Sequence, residues 1–221
     1  MNPALRTSAA HVIVDDIDVL ALDRDDEHHL LRVMRLRDGE TVTVTDGLGA
    51  WRRAEVDGRT LRAVGPVERE PEPRGCTIAT AIPKGDRLEW MVQKLTEVGV
   101  TEIRLVHFER SVVRWKNDRV VAQLERLRRV AREAAMQSRR VWMPAIVGPV
   151  AAADVLAAAE VCVADPDGSP GPVGSFVVIG PEGGFTEAEL ALAGRRVSLG
   201  DTVLRVETAA LVAAVRSLSA R

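Results

Sequence analysis

Two stretches place reactive side chains beside bare backbone. The first is Val178-Ile179-Gly180-Pro181-Glu182-Gly183-Gly184-Phe185, an apolar run that breaks into three glycines and a carboxylate. The second is Leu199-Gly200-Asp201-Thr202-Val203-Leu204-Arg205-Val206-Glu207-Thr208-Ala209, where a fixed positive charge stands two residues ahead of another carboxylate. Glycine permits positive φ and leaves peptide N–H and C=O groups open to a ligand that side chains would obstruct. Arg205 is placed either to stabilise negative charge that develops in a reaction or to form a helix-edge salt bridge with Glu207 or another acid. Glycine turns between strand and helix are common, so the first stretch alone fits a phosphate, a nucleotide or no ligand.

The flanking residues say what holds these loops. Phe176–Ile179 is four consecutive apolar residues, the pattern of a strand buried on both faces in a parallel sheet. Thr186 with Glu189 three residues on is a capping box, so a helix starts just after Phe185. Glu207 and Thr208 favour the N-terminus of a last helix running from about Glu207 to the C-terminus. A buried strand, a bare loop and a helix start describe a ligand crevice at the carboxyl edge of a sheet.

Upstream, the chain changes character once. Residues 11–64 read as short strands: His11–Val14, Glu40–Thr45, Trp51–Val56 and Thr60–Val64. Period-two alternation broken at Asp46-Gly47 and Asp57-Gly58 predicts antiparallel hairpins and a small barrel. One helix interrupts them, capped by Asp25 or Asp26, with Leu30, Leu31, Val33 and Met34 on its apolar side and Gly39 at its end. The proline- and charge-rich residues 66–75 form a linker. Beyond it, strands at Cys76–Ile82, Ile103–His107, Val161–Ala164, Phe176–Ile179 and Val197–Leu199 alternate with helices. One helix carries Leu88, Met91, Val92, Leu95 and Val98 up to Gly99; the next runs from Asn117 or Asp118 to about Ala135. Such alternation predicts an α/β domain on a mainly parallel sheet over residues 76–221, preceded by a β-rich domain over residues 1–70.

Composition narrows the chemistry. With 221 residues and 46% hydrophobic side chains, the chain is long enough for one large domain or two small ones. No apolar run has the length of a membrane span and the N-terminus lacks a signal peptide's apolar segment, which predicts no membrane association. Cys76 and Cys162 sit in apolar runs and read as reduced core thiols, in keeping with a cytoplasmic protein. The four histidines lie at no metal-ligand spacing with a cysteine, so no metal is expected. There is no dinucleotide fingerprint, P-loop or nucleophile elbow. Residues 104–140 hold eleven basic against four acidic side chains, a net +7 in a chain of net −2. That imbalance reads either as a polyanion-binding face or as a solvated arginine-rich helix.

The two loops together resemble the RsmE family, 16S ribosomal RNA uracil-N3 methyltransferases of the SPOUT superfamily. His29-Leu30-x-x-Val33-Met34-Arg35 with Gly39-Glu40 is similar to the family's PUA-like N-terminal domain. Lys84-Gly85, Gln93-Lys94-x-x-Glu97-x-Gly99-Val100, Glu109-Arg110-Ser111 and Gln137-Ser138-x-Arg140 resemble its catalytic domain. The resemblance implies a SPOUT-type parallel sheet with a C-terminal trefoil knot behind a PUA-like β-barrel, and S-adenosyl-L-methionine as cofactor. It implies a cofactor pocket lined by Ile179, Gly180, Gly184, Leu199 and Leu204, within loops that also contain Pro181, Glu182, Gly183, Gly200, Thr208 and Ala209. It assigns Arg205 the electrostatic role, with Glu182 or Glu207 either accepting the N3 proton or fixing loop and helix geometry. It places RNA on Arg6, Arg32 and Arg35 of the first domain and on Arg110, Arg114, Arg139 and Arg140 of the second, and it implies a homodimer acting on 16S ribosomal RNA or the small ribosomal subunit. The chain departs from the family pattern at Asp201-Thr202, where Pro-Arg is usual, at Arg139, where glycine is common, and at Leu5-Arg6-Thr7, which lacks aromatic neighbours. Two other readings stand beside this one: a SPOUT methyltransferase for another RNA site, and a non-catalytic RNA-binding protein of the same fold.

Overall fold

The computed structural model describes residues 2–220, which divide into two compact units. The first comprises the chain through Pro73 together with Arg132–Met143; the second comprises Arg74–Ala131 and the chain from Pro144 onward. Sequence reading assigned residues 132–143 to the second domain.

In the first unit, α1 (Pro3–Thr7) precedes β1 (His11–Ile13), and α2 (Arg24–His28) runs straight into a π-helical turn at His29–Val33. Strands β2 (Thr41–Thr45), β3 (Ala50–Asp57), β4 (Thr60–Ala63) and β5 (Glu68–Arg69) follow. The sheet order is β1-β2-β3-β4, with β5 beside β3. As the alternation predicts, β2–β3 and β3–β4 are antiparallel hairpins, whereas β1 pairs with β2 in parallel. Val12, Val42, Val44, Ala54, Val56 and Leu30 pack into one core.

Three local expectations change. The cap of α2 is Asp23, whose carboxylate accepts from the Asp26 N–H at 2.7 Å. Asp26 is instead buried and paired with Arg132, and burial raises its pKa against the pull of that guanidinium. The π-turn rotates Val33 (60% exposed) and Met34 (40% exposed) off the core, so only Leu30 of that apolar set is buried. The segment read as a linker contributes β5, which pairs with the first two residues of β3.

A hydrogen-bonded chain ties β1 to β2. His11 Nε2 lies 3.0 Å from the carbonyl of Arg140, which can only accept, so Nε2 carries the proton and Nδ1 accepts from Thr43 Oγ1 at 2.8 Å. Ser8 Oγ lies 3.0 Å from Thr43 Oγ1, and Arg139 Nη1 donates to Ser8 Oγ at 2.8 Å. Burial pushes the His11 imidazole from 6.5 down to about 4; the Arg140 carbonyl opposes this and the Arg139 charge adds to it.

The second unit runs β6 (Thr77–Ala81), α3 (Arg87–Val98), β7 (Glu102–His107), α4 (Asn117–Ser138), β8 (Ala145–Ala151), α5 (Ala152–Leu156), β9 (Val161–Ser169), β10 (Phe176–Ile179), α6 (Glu187–Leu192), β11 (Arg195–Val197) and α7 (Val206–Ser219). The last turns of α4, from Arg132, belong to the first unit. Six strands form one parallel sheet in the order β11-β9-β10-β6-β7-β8. Helix α3 ends at Gly99 with φ +107, a left-handed stop, and Leu88, Met91, Val92 and Leu95 are buried along it. Thr186 and Glu189 make both halves of the capping box that starts α6. Strand β11 lies two residues upstream of its expected position, which leaves Ser198 and Leu199 in the loop before α7.

The histidine network makes a pH prediction. The unfolded chain takes up the His11 proton near 6.5 and the folded chain only near 4. Stability from the neutral ring is therefore complete above 6.5 and is lost as pH falls towards 4, by about 3 kcal/mol. Urea unfolding between pH 7 and pH 4 should show this loss, and His11→Gln should flatten it.

Candidate active site

The site is assembled where the strand order reverses: the chain steps from β9 to β10 and then back past β9 to β11. Ile179 at the end of β10 lies opposite Ala164 of β9, so the two strands open into one crevice at their carboxyl ends. The crevice is a cavity of about 350 Å³. Ala164, Asp165, Pro166 and Asp167 line it from β9, and Ile179, Gly180, Pro181, Glu182, Gly184 and Phe185 from β10 and its loop. Leu190 of α6, the loop residues Leu199, Gly200, Thr202, Val203 and Leu204, and Val206 and Ala209 of α7 complete it.

The glycine loop has its shape because two positions lack a side chain for a reason. Gly184 adopts φ +72, which disfavours any other residue. A Cβ on Gly180 would sit 2.7 Å from the Phe185 ring, so glycine lets that ring fold back over the loop. The same ring meets Phe108 edge-to-face at 5.4 Å. Arg110 Nη1 donates to the carbonyls of Gly183 and Phe185, each at 3.1 Å. Glu189 accepts from the Glu109 N–H at 2.9 Å while it caps α6. The segment after β7 therefore holds the loop after β10 through a ring, a guanidinium and a carboxylate.

Arg87, at the first position of α3, makes a second clamp that the sequence did not reveal. Its Nη1 lies 2.8 Å from Glu182 Oε1 and 3.8 Å from Glu207 Oε2, and its Nε donates to the Lys84 carbonyl at 3.1 Å. Glu207 is 7% exposed, and its Oε2 has no hydrogen-bond partner among the described residues. Both glutamates singled out from the sequence thus share one guanidinium. Arg205, the residue before α7, is exposed, and its guanidinium has no partner among the described residues; it forms no salt bridge with Glu207.

Of the expected cofactor residues, Ile179, Gly180, Pro181, Glu182, Gly184, Leu199, Gly200, Leu204 and Ala209 line the cavity. Gly183 and Thr208 do not; Gly183 backs onto Arg110, 3.2 Å from where its Cβ would be. Asp165 and Asp167 were missed. Asp165 is buried and held by Arg196 (2.8 Å) and the Asp167 N–H (3.0 Å), whereas the Asp167 carboxylate is exposed at the cavity wall. An Asp-Pro-Asp-Gly run at the end of a predicted strand was the available signal.

The expected RNA-binding arginines separate into two groups. Arg6, Arg32 and Arg35 are exposed, and their guanidinium groups have no partner among the described residues. Arg110 and Arg114 donate to backbone carbonyls, the latter to Phe108 and Glu109. Arg139, in a left-handed conformation at φ +61, donates to Ser8 and Ala9; burial lowers its pKa and brings that of Arg140 to about 10. Arg139 also lines a cavity of about 750 Å³ in the first unit, with His11, Asp26 and Met136.

A six-stranded parallel sheet with a ligand-sized cavity where its strand order reverses defines an open α/β domain that binds a small molecule at the carboxyl ends of its strands. The RNA methyltransferase domain family matches residues 70–217, and the RNA methyltransferase PUA domain family matches residues 22–64. Ribosomal RNA small subunit methyltransferase E of Mycobacterium bovis is 36% identical, over 88% of this chain and 84% of that protein. Its Bacillus subtilis counterpart is 28% identical over 90% of each. The crystal structure of a probable rRNA-methyltransferase from Porphyromonas gingivalis superposes with a TM-score of 0.77 at 33% identity, covering 93% of this chain and 95% of that one. Ribosomal RNA small subunit methyltransferase E of Neisseria gonorrhoeae, bound to S-adenosyl methionine, gives 0.78 at 26% identity with the same coverage. The chain belongs to the ribosomal RNA small subunit methyltransferase E family.

The Arg87 clamp is open to direct measurement. Arg87→Ala leaves the Glu207 carboxylate buried without its cation and should cost about 2 kcal/mol, less than a fully buried pair because Arg87 is partly exposed. Chemical unfolding of the variant beside Arg87→Lys, which keeps the charge, should show the lysine recovering part of the loss.

Proposed function

We propose that this chain methylates N3 of a uridine in 16S ribosomal RNA of the small ribosomal subunit, with S-adenosylmethionine as methyl donor. One observation carries the reading: the cavity is enclosed by two glycine-bearing loops and a helix start, and the exposed Arg205 stands between two of its lining residues, Leu204 and Val206. The lining suits the cofactor. Its volume falls within the range of about 300–1,000 Å³ for small-molecule pockets. Ile179, Leu199, Leu204 and Phe185 offer apolar contact for an adenine ring and a thioether-like chain, and Asp167 and the loop peptides offer polar partners for the ribose and the amino-acid end.

When bound, S-adenosylmethionine supplies an electrophilic methyl group on a sulfonium. The protein's task is to present N3 towards the cavity, let its proton pass to bulk water and stabilise the charge left on the ring until the methyl group is transferred. Arg205 takes the electrostatic part, because a partner-free guanidinium at the rim needs no rearrangement to meet developing negative charge. Glu182 and Glu207 take the supporting part, since Arg87 already engages both. Arg6, Arg32 and Arg35 supply phosphate contacts from the first unit, with an affinity that falls as salt rises.

The trefoil knot belongs to the same reading, supported by β10 lying between β6 and β9 in the sheet. So does a homodimer formed through α3 and α7, where Val98, Val215 and Leu218 remain 36–46% exposed. No helix among the described residues is long and apolar enough to cross a membrane, and no cluster of metal-binding side chains occurs among them. A cytoplasmic setting, where the ribosome is the substrate, completes the proposal.

Two experiments test it. N3-methyluridine should vanish from 16S RNA in cells lacking the gene, return with the unaltered gene and stay absent with Arg205→Ala. Calorimetry should show that Arg205→Ala still binds S-adenosylmethionine, with turnover reduced by about 100-fold or more. A fully methylated decoding-region uridine without the gene would end the reading. Light scattering should report a dimer, and Val215→Glu with Leu218→Glu should yield a monomer; a monomeric unaltered protein would remove the dimer from the proposal.

A further inference from the structure

The cavity of about 750 Å³ in the first unit is built from three elements. Strand β1 contributes Val12, the segment from α2 through the π-turn contributes Asp25 and Met34, and the last turns of α4 contribute Glu133, Met136 and Gln137. Arg132 ties the three together: its guanidinium pairs with Asp26 of α2, lies 3.6 Å from Asp23 and donates to the Ile13 carbonyl of β1 at 2.8 Å. The space is therefore preformed, and its volume suits a small molecule or a single base. The buried polar groups of its lining are already satisfied, Asp26 by Arg132 and both His11 nitrogens by Thr43 and the Arg140 carbonyl. The side chains of Asp25, Glu133 and Gln137 make no hydrogen bond or ion pair among the described residues.

We propose that this cavity takes a guanine base of the RNA substrate, with Glu133 and Gln137 reading its Watson–Crick edge. The assignment rests on RNA being the substrate, as in the reading above, and adds a sequence-reading contact apart from the methylated uridine. Glu133 and Gln137 are four residues apart on α4, which makes them neighbours on one helix face, with Cβ atoms about 5–6 Å apart. A carboxylate only accepts, whereas an amide can donate. Guanine offers O6, N1–H and the exocyclic amino group in a row, so the carboxylate takes the two N–H groups and the amide donates to O6. Uracil has carbonyls on both sides of its one N–H, and cytosine and adenine set an amino group beside a bare ring nitrogen. Each of these would aim a lone pair at the carboxylate. Met34 (40% exposed) and Met136 offer polarisable sulfur to the faces of the ring. The free acids Asp25 and Glu133 keep phosphate out of the cavity, and the backbone phosphates fall to Arg32 and Arg35, which are exposed and without partners among the described residues.

The test is a nuclear magnetic resonance titration of the full chain carrying isotope-labelled methionine methyl groups. Guanosine monophosphate should shift the Met34 and Met136 signals and leave in place those of Met91 and Met143, which do not line the cavity. Inosine monophosphate, which lacks only the exocyclic amino group, should bind about tenfold more weakly, and the adenine, cytosine and uracil nucleotides more weakly still. Glu133→Gln should abolish the preference for guanosine over inosine monophosphate. Glu133 is exposed and unpaired among the described residues, so this variant should unfold in urea as the unaltered protein does. No shift of Met34 and Met136, equal affinity for the four bases, or a preference that survives Glu133→Gln would each overturn the assignment. So would argininamide moving the two methionines at a lower concentration than guanosine monophosphate, which would make the occupant a protein side chain. The titration needs neither cofactor nor turnover, so its failure leaves the methyl-transfer reading standing, and a chain that forms no N3-methyluridine can still be titrated.

Discussion

The contact between the Phe185 ring and the backbone of Gly180 sets the shape of the cavity. Strand β10 has a parallel neighbour on each side, so its chain must leave the sheet straight ahead, through its carboxyl end. A loop there can present bare peptide groups only if something outside it fixes its path. Phe185 does so by folding over Gly180 and meeting Phe108 with its edge. Any side chain at position 180 would displace that ring, and the Arg110 and Glu189 contacts with the segment after β7 would be displaced with it. The cavity thus depends on contacts made behind the loop, by Phe108, Arg110 and Glu189, none of which lines it.

Many of the basic side chains between residues 104 and 140 are engaged by other groups of the chain. Arg104 pairs with Glu102 and lies over the Phe176 ring, Arg126 pairs with Glu89, and Arg132 pairs with Asp26. Arg110, Arg114, Arg128 and Arg139 cap backbone carbonyls. A guanidinium offers five donors in a rigid plane and remains charged when half-buried, which makes it an efficient cap for carbonyls that no N–H reaches. Three of the segment's charges are offset by acids outside it, Glu102, Glu89 and Asp26. Within the segment, Lys116, Arg119 and Arg129 keep exposed side chains without partners among the described residues, as Arg6, Arg32, Arg35 and Arg205 do elsewhere.

What could be read from the sequence was what repeats locally. Strands β2 to β4 follow from alternation between Asp-Gly turns, α3 from helical spacing ended by Gly99, and the start of α6 from a capping box four residues long. Strand β8 escaped because Gly148-Pro149 interrupts its apolar pattern, and β11 was misplaced because its arginines hide a strand held by only one neighbour. The glycine loops were visible as loops. The clamp that makes them a site was not, because Arg87 meets Glu182 across 95 residues of sequence and neither residue type announces the other. Spacing reveals a candidate loop, and only the fold reveals what holds it.

Arg139 shows how a departure from the family pattern can be absorbed. A left-handed conformation costs a non-glycine residue roughly 1–2 kcal/mol, which accounts for the glycine common at this position in proteins the chain resembles. Here the guanidinium offsets that cost with hydrogen bonds to Ser8 Oγ at 2.8 Å, Ser8 O at 2.9 Å and Ala9 O at 3.5 Å. Those bonds join the end of α4 to the start of β1, beside the His11 and Thr43 pair that links β1 to β2. The substitution thus adds both a basic residue and a structural cross-link to the first unit.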